Sequence, residues 1–179
     1  MAVSSSATSW GPCRSSDLGV GSGPRGQYGD GMDITAEQAT SFAHSTIPAI
    51  GRLGVRVEAL GPGWVELVVP IEGNGNHFGT MYAGALFGLV EMPGGFLPLS
   101  VLGAQFTPIV TRVDIRFLAA ARSDVRLRAE MAPEVLQGLA ERATDEGKAE
   151  FTLELTGHDD TGRSVVSCTA YYQLRPARG

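Results

Sequence analysis

Apolar residues recur along this chain with two periods, and the switches between them lay out a fold. Ala39, Phe42, Ala43, Ile47 and Ile50 return near helical spacing. Thr35 stands before them as an N-cap, and Gln38 three positions on completes a capping-box pattern. Pro48 and Gly51 are expected to end this first helix. Val55 and Val57 then alternate with Arg56 and Glu58. Gly61-Pro62-Gly63 marks a turn, and Trp64 to Ile71 is rich in β-branched and aromatic residues, so a β-hairpin follows.

A polar loop from Glu72 to Asn76 leads into HFGTMYAGALFGLVEMPGGFLPLSVLGAQF, residues 77–106. That run approaches the ~20 apolar residues of a membrane span, and a helix buried inside a soluble fold has the same hydropathy. Glu91, Pro93, Gly94, Gly95 and Pro98 in its middle, with no basic flank to orient it, favour the buried helix, kinked or ended at Pro93. Beyond it, period two dominates. Val113, Ile115 and Phe117 alternate with Arg112, Asp114 and Arg116. Val125, Leu127 and Ala129 alternate with Arg126, Arg128 and Glu130. After a short helical connection around Glu134–Arg142, Phe151, Leu153 and Leu155 alternate with Thr152, Glu154 and Thr156. Asp160-Thr161-Gly162 turns the chain, and Val166, Cys168, Ala170, Tyr172 and Leu174 form the inward set of a last strand. The expected order is helix, two strands, a long buried helix, then four antiparallel strands. This is an α+β fold in which one antiparallel sheet wraps around one apolar helix.

Composition narrows the partners. The net charge of −5 over 179 residues excludes the basic stripe of a nucleic-acid binder and gives no electrostatic reason to sit on an anionic membrane. Cys13 and Cys168 are far apart, with no CxxC and no cysteine–histidine cluster, so neither a metal site nor a disulfide framework is expected. That usage fits a reducing cytoplasm. Residues 1–33 are rich in serine and glycine, lack the apolar stretch of a secretory signal, and read as a flexible tail. The folded domain spans 34–176.

The central helix carries the chemical clue. Steps of three or four from Gly84 reach Gly88, Glu91 and Gly95, so Glu91 sits on a face otherwise made of glycines. Each glycine costs a helix ~0.8–1.0 kcal/mol relative to alanine, which implies that a ligand or a second chain approaches that backbone. Burial raises a carboxylate's pKa, as suits a general base working near neutral pH. The same residues also fit a structural role, with Glu91 in a buried polar network or paired to Arg112 or Arg116 and the glycines serving tight packing. The residues alone leave both readings open.

The segments NHFGTMYAGALFGLVEMPGG (76–95) and RVDIRFLAAARSDVRLRAEM (112–131) resemble the hot-dog superfamily, most nearly the thioesterases of the phenylacetic-acid-degradation type. Their motif has the form N…G…HGG…D/E. Asn76 falls on its asparagine, Gly79 on the next glycine, Gly84 on the second glycine of HGG and Glu91 on the acid. Tyr82 stands where the family has histidine, and Ala83 replaces the first glycine. The resemblance implies hydrolysis of an acyl thioester, usually acyl-coenzyme A, by a homodimer or dimer of dimers and without a cofactor or metal. Backbone N–H groups near Ala83 and Gly84 would hold the oxyanion. Glu91 from the neighbouring subunit would activate water or attack directly, and Asn76 would hold the water or the carbonyl. His77, Gly79, Tyr82 and Ala83 would line the substrate site, Tyr82 offering a hydroxyl but no imidazole. The departures at Tyr82 and Ala83 give a rival reading, a non-catalytic hot-dog domain that binds acyl-coenzyme A. A hydratase, which in such relatives pairs a histidine with an acid, fits less well. Asp114 is a candidate second acid or part of a solvated strand face. Arg112 and Arg116 either meet coenzyme A phosphates or face water. The strand that carries them leaves an edge that a symmetry mate would cover.

Overall fold

The computed structural model describes residues 34–177; the expected tail at 1–33 lies outside them. The capping box at Thr35 forms: its hydroxyl accepts from the Gln38 N–H at 3.2 Å, and the Gln38 side chain accepts from the Thr35 N–H at 2.8 Å. The helix it starts, α1 (Ala36–Thr46), stops sooner than the sequence suggests. Pro48 does not continue it but opens α2 (Pro48–Leu53), because a proline at the first helical position gives up an N–H that has no intrahelical acceptor. Ile47 between them leaves the helical region, at φ −127° and ψ 82°, since a following proline disfavours the α conformation. Gly54, in the left-handed region at φ 65°, ends α2 in place of Gly51.

The hairpin β1 (Arg56–Gly61) and β2 (Trp64–Val69) forms as expected, with Gly61 opposite Trp64. The apolar run becomes α3 (Ala83–Glu91) and α4 (Pro93–Leu102), ending in a 3₁₀ turn at Gly103–Gln105. Then come β3 (Phe106–Phe117), β4 (Val125–Glu130), α5 (Pro133–Glu146), β5 (Ala149–Asp159) and β6 (Ser164–Pro176). The six strands form one antiparallel sheet in the order β1-β2-β4-β5-β6-β3.

The sheet wraps the α3–α4 run. Leu86, Leu89, Val90 and Leu97 from the helices meet Val65, Leu67, Leu127, Leu153, Ala170 and Leu174 from the strands in one core. Burying each such side chain contributes ~1.5–3 kcal/mol, which outweighs the poor helix propensity of the glycines. Ala83–Gln105 is, among the described residues, the helix long and apolar enough to cross a membrane. Of its most apolar stretch 67% is buried inside the fold, as in a core helix. Opposite the helix, the sheet carries charge: Arg128 pairs with Glu66 at 2.8 Å and lies over the Trp64 ring at 4.4 Å.

Pro93 bends the central helix without ending it. Because Pro93 has no N–H and the Gly95 N–H turns back to Met92 O at 3.0 Å, the Glu91 carbonyl is left without a helical donor. The Tyr172 hydroxyl donates to it at 2.9 Å. Along the helix from Ala83 to Leu99, the positions not fully buried are Ala83, Gly84, Phe87, Glu91, Gly95 and Leu99, a single stripe on one side. On the sheet, β3 pairs only with β6, so one full edge of this 12-residue strand has no partner among the described residues.

Candidate active site

The site is organised from the loop before α3. Asn74 is buried, and its amide donates to Leu53 O at 2.7 Å and to Pro70 O at 2.9 Å. Its own carbonyl accepts from the Tyr82 N–H at 2.7 Å. The side chain thus ties the end of α2 to the end of β2, and the backbone carbonyl of the same residue holds the entry to α3. The sequence reading passed over it. Asn74→Ala is expected to cost about 1–3 kcal/mol, because two half-buried carbonyls lose their donor. Thermal denaturation beside wild type checks this.

Asn76 builds the next turn. Its side-chain oxygen accepts from the Phe78 N–H at 2.9 Å and the Thr80 N–H at 3.2 Å, and its amide donates to the Thr80 hydroxyl at 3.0 Å. Its polar atoms are occupied in shaping the loop. Gly79 sits at φ 69° with no atom within 4 Å of a would-be Cβ, so backbone conformation is what requires glycine there. His77 is exposed, with its ring 3.8 Å from that of Phe78.

Tyr82 caps α3 without a side-chain hydrogen bond. The residue is 57% exposed, and its ring packs on Gly84, where a Cβ would overlap it. The first helical N–H groups, those of Ala83 and Gly84, have no acceptor among the described residues. They lie at the positive end of the helix dipole, open to an oxyanion.

Glu91 lies further along the same stripe. Its carboxylate has no hydrogen-bond or ion-pair partner among the described residues, and desolvation raises its pKa above the ordinary carboxylate value. The pairing with Arg112 or Arg116 does not form in this chain. Arg112 instead binds Asp114 at 2.8 Å on the exposed strand face and stacks on Tyr171. Of the glycines expected to admit an outside group, Gly84 is covered by Tyr82, and Gly88 is covered by Ile50 and Leu53 of α2. Gly95 alone faces open space. Cys168 is no rival nucleophile, since burial pushes its thiol to about 11.

What one chain does not do is bring the two halves of the site together. Gly84 and Glu91 are separated by two helical turns, ~10.5 Å along the axis, whereas a base must come within ~3 Å of the proton it takes.

A single antiparallel sheet wrapped around a long apolar helix is the hot-dog architecture of the thioesterase superfamily. Residues 35–174 match the family described as a domain of unknown function, DUF4442, and the chain belongs to it. A Pseudomonas aeruginosa protein of unknown function, named as a thioesterase candidate, is 42% identical. It superposes with a TM-score of 0.75 over 82% of this chain and 99% of its own. A thioesterase from Haemophilus influenzae (16% identity, TM-score 0.63, 82% of this chain and 94% of its own) shares the fold. So does a second Pseudomonas aeruginosa thioesterase, crystallised as a mutant (18% identity, TM-score 0.61, 81% and 96%). No curated protein matches the chain.

Proposed function

We propose that this chain hydrolyses acyl thioesters, acyl-coenzyme A above all, as a cytoplasmic homodimer in which each active site takes residues from both copies. The observation that carries this reading is Glu91, an unpaired, desolvated carboxylate on the incompletely buried stripe of the helix whose start offers free N–H donors. Pairing of two β3 edges would cover the unpaired edge and lay the two helices side by side. The Glu91 of one copy would then face the helix start of the other.

The chemistry balances on these groups. The thioester carbonyl oxygen accepts hydrogen bonds from the Ala83 and Gly84 N–H groups of one copy. The Glu91 carboxylate of the other takes a proton from water as that water attacks the carbonyl carbon. The tetrahedral intermediate collapses by breaking the C–S bond, and the protonated Glu91 returns its proton to the leaving thiolate. Carboxylic acid and thiol leave. An oxyanion donor of this type is worth ~2.7–4 kcal/mol. Asn76 holds the loop that sets the helix start, and Tyr82, His77 and Gly79 flank the approach.

A second reading has its own observation. The Tyr82 ring leans on Gly84, at the place where the family has a histidine. A domain that binds the thioester and does not cleave it would bind coenzyme A esters, seen as a rise in Tm, with no release of thiol.

Subunit mixing tests the shared site. Ala83→Pro removes one N–H at a first-turn position that accepts proline, and the extended Tyr82 tolerates the change. Ala83→Pro and Glu91→Gln should each be inactive alone. Unfolded and refolded together, they should recover about a quarter of wild-type thiol release, since half the dimers then hold one intact site of two. No recovery, with both variants folded and dimeric, would place Glu91 and the helix start of the same copy in one site. A monomer at micromolar concentration would overturn the shared site altogether.

A further inference from the structure

We propose that the cavity between α1, α4 and the start of β3 seats the acyl chain of the substrate and selects chains of medium length. The inference rests on the thioesterase reading and adds the substrate class to it. The cavity measures about 410 Å³, within the ~300–1,000 Å³ of small-molecule sites. Phe42 of α1 and Ile47 just after it, Met92 just before α4, Phe96 and Leu99 within α4, and Phe106 of β3 form its walls, and no lining side chain is charged.

Its position ties it to the chemistry. Gly95, on the cavity wall, lies one helical turn beyond Glu91 on the same incompletely buried stripe, and Leu99 continues that stripe. A Cβ at Gly95 would meet no atom within 4 Å, so the cavity is open at the helical position one turn from Glu91. The cavity also accounts for two side chains that helical spacing placed inward. Phe42 is 51% exposed and Ile47 40% exposed, and both line this space, where an alkyl chain would cover them.

Length follows from the helix. Met92 to Leu99 spans ~10.5 Å, and an extended chain advances roughly 1.2 Å per bond, so about nine bonds fill the cavity. That is an octanoyl or decanoyl chain. Two other occupants, the chain's own residues 1–33 or a second copy, would fill the same space and give no dependence on acyl length.

The test is kcat/KM for acetyl-, butanoyl-, hexanoyl-, octanoyl-, decanoyl- and palmitoyl-coenzyme A with the full chain. Each added methylene is expected to raise it roughly fourfold up to octanoyl or decanoyl, and the rise should then stop. Gly95→Leu, which extends a side chain into the cavity, should lower the decanoyl-to-butanoyl ratio at least tenfold. Phe42→Gln, at an exposed position away from the core, should lower it in the same direction. A flat profile, or a ratio unmoved by both variants, overturns the acyl seat while hydrolysis itself stands. If no thioester is cleaved, the hydrolase reading fails and binding decides the seat. Decanoyl-coenzyme A should then bind wild type at least tenfold more tightly than acetyl-coenzyme A, a preference that Gly95→Leu abolishes. Equal binding of the two overturns it.

Discussion

Glu91→Gln is expected to lower kcat for thioester hydrolysis by at least a hundredfold while making the protein more stable at neutral pH. Both effects come from one property of the site. A positioned general base contributes ~10²–10⁴ to a rate, and glutamine keeps the size and burial of glutamate but takes no proton. The stability effect has the opposite sign. Desolvation is the cause of the raised pKa, with no compensating cation, so ionising Glu91 costs the folded state more than the unfolded one. Below pH ~4.3 both states hold the proton and there is no penalty. As pH rises the unfolded chain releases its proton first, so stability falls until pH passes the raised folded pKa, and it stays at the lower level above that. The Tm of Glu91→Gln should therefore exceed that of wild type at pH 8 and coincide with it at pH 4. The wild-type rate should climb with pH through the same raised pKa, since only the carboxylate accepts a proton. Thiol release and thermal denaturation across pH 4–8 read both. Activity that survives the substitution would put the base elsewhere. Activity lost with a fall in stability at pH 8 would mean that the assembled protein supplies Glu91 with a partner, and that the acid holds structure together.

The parts of the fold that the sequence announces are those where one face is buried and the other wet. β4 and β5 show this directly, with buried and exposed residues alternating along almost their whole length. β3 is different. The residue types of 106–112, with Pro108 among them, show no clean apolar–polar alternation, yet the strand begins at Phe106 and its exposure alternates through Thr111. An edge strand tolerates proline, and with one neighbour it needs no strict pattern. Proline marks both helix junctions. Pro48 is expected to stop a helix and instead starts one, whereas Pro93 interrupts the apolar run where the sequence places the kink and opens α4. Local chemistry marks where proline sits, but the packing around it decides which helix it serves.

The site divides in the same way. Glu91 is legible because a lone charge in an apolar run has few explanations. What covers its glycine neighbours is not legible, since Ile50 and Leu53 reach Gly88 only once α2 has folded against α3. Asn74 looks like any polar loop residue until the fold brings the Leu53 and Pro70 carbonyls to its amide. Tyr172 reads as one more inward residue of a strand, although its hydroxyl holds the carbonyl of Glu91, 81 positions earlier in the chain.

That last contact makes Gly94→Ala the substitution expected to cost most in stability. In an isolated helix the change would help, by ~0.8–1.0 kcal/mol. Here a Cβ at Gly94 would overlap the Cε1 and Cζ atoms of Tyr172. The ring has little room to yield. It stacks on Phe151 at a centroid distance of 5.0 Å, it is 2% exposed, and its hydroxyl is bound to the Glu91 carbonyl. Burial and the charge of Glu91 also push the phenol's pKa up, so it remains a donor throughout the working range. Overpacking of this kind costs about 1–3 kcal/mol, and if the ring is forced out the orphaned carbonyl adds to that. At roughly 2–4 °C per kcal/mol for a domain of this size, Tm should fall by several degrees. Hydrolysis should fall with it, because the bend that presents Glu91 depends on the same ring. A double-mutant cycle separates this clash from a general intolerance of alanine at the bend. In a Tyr172→Ala background the cavity accepts the new methyl, so Gly94→Ala should cost nothing further or recover some stability. An equal loss in both backgrounds would show that Gly94 serves the backbone at the Pro93 bend, with the ring playing no part in its choice.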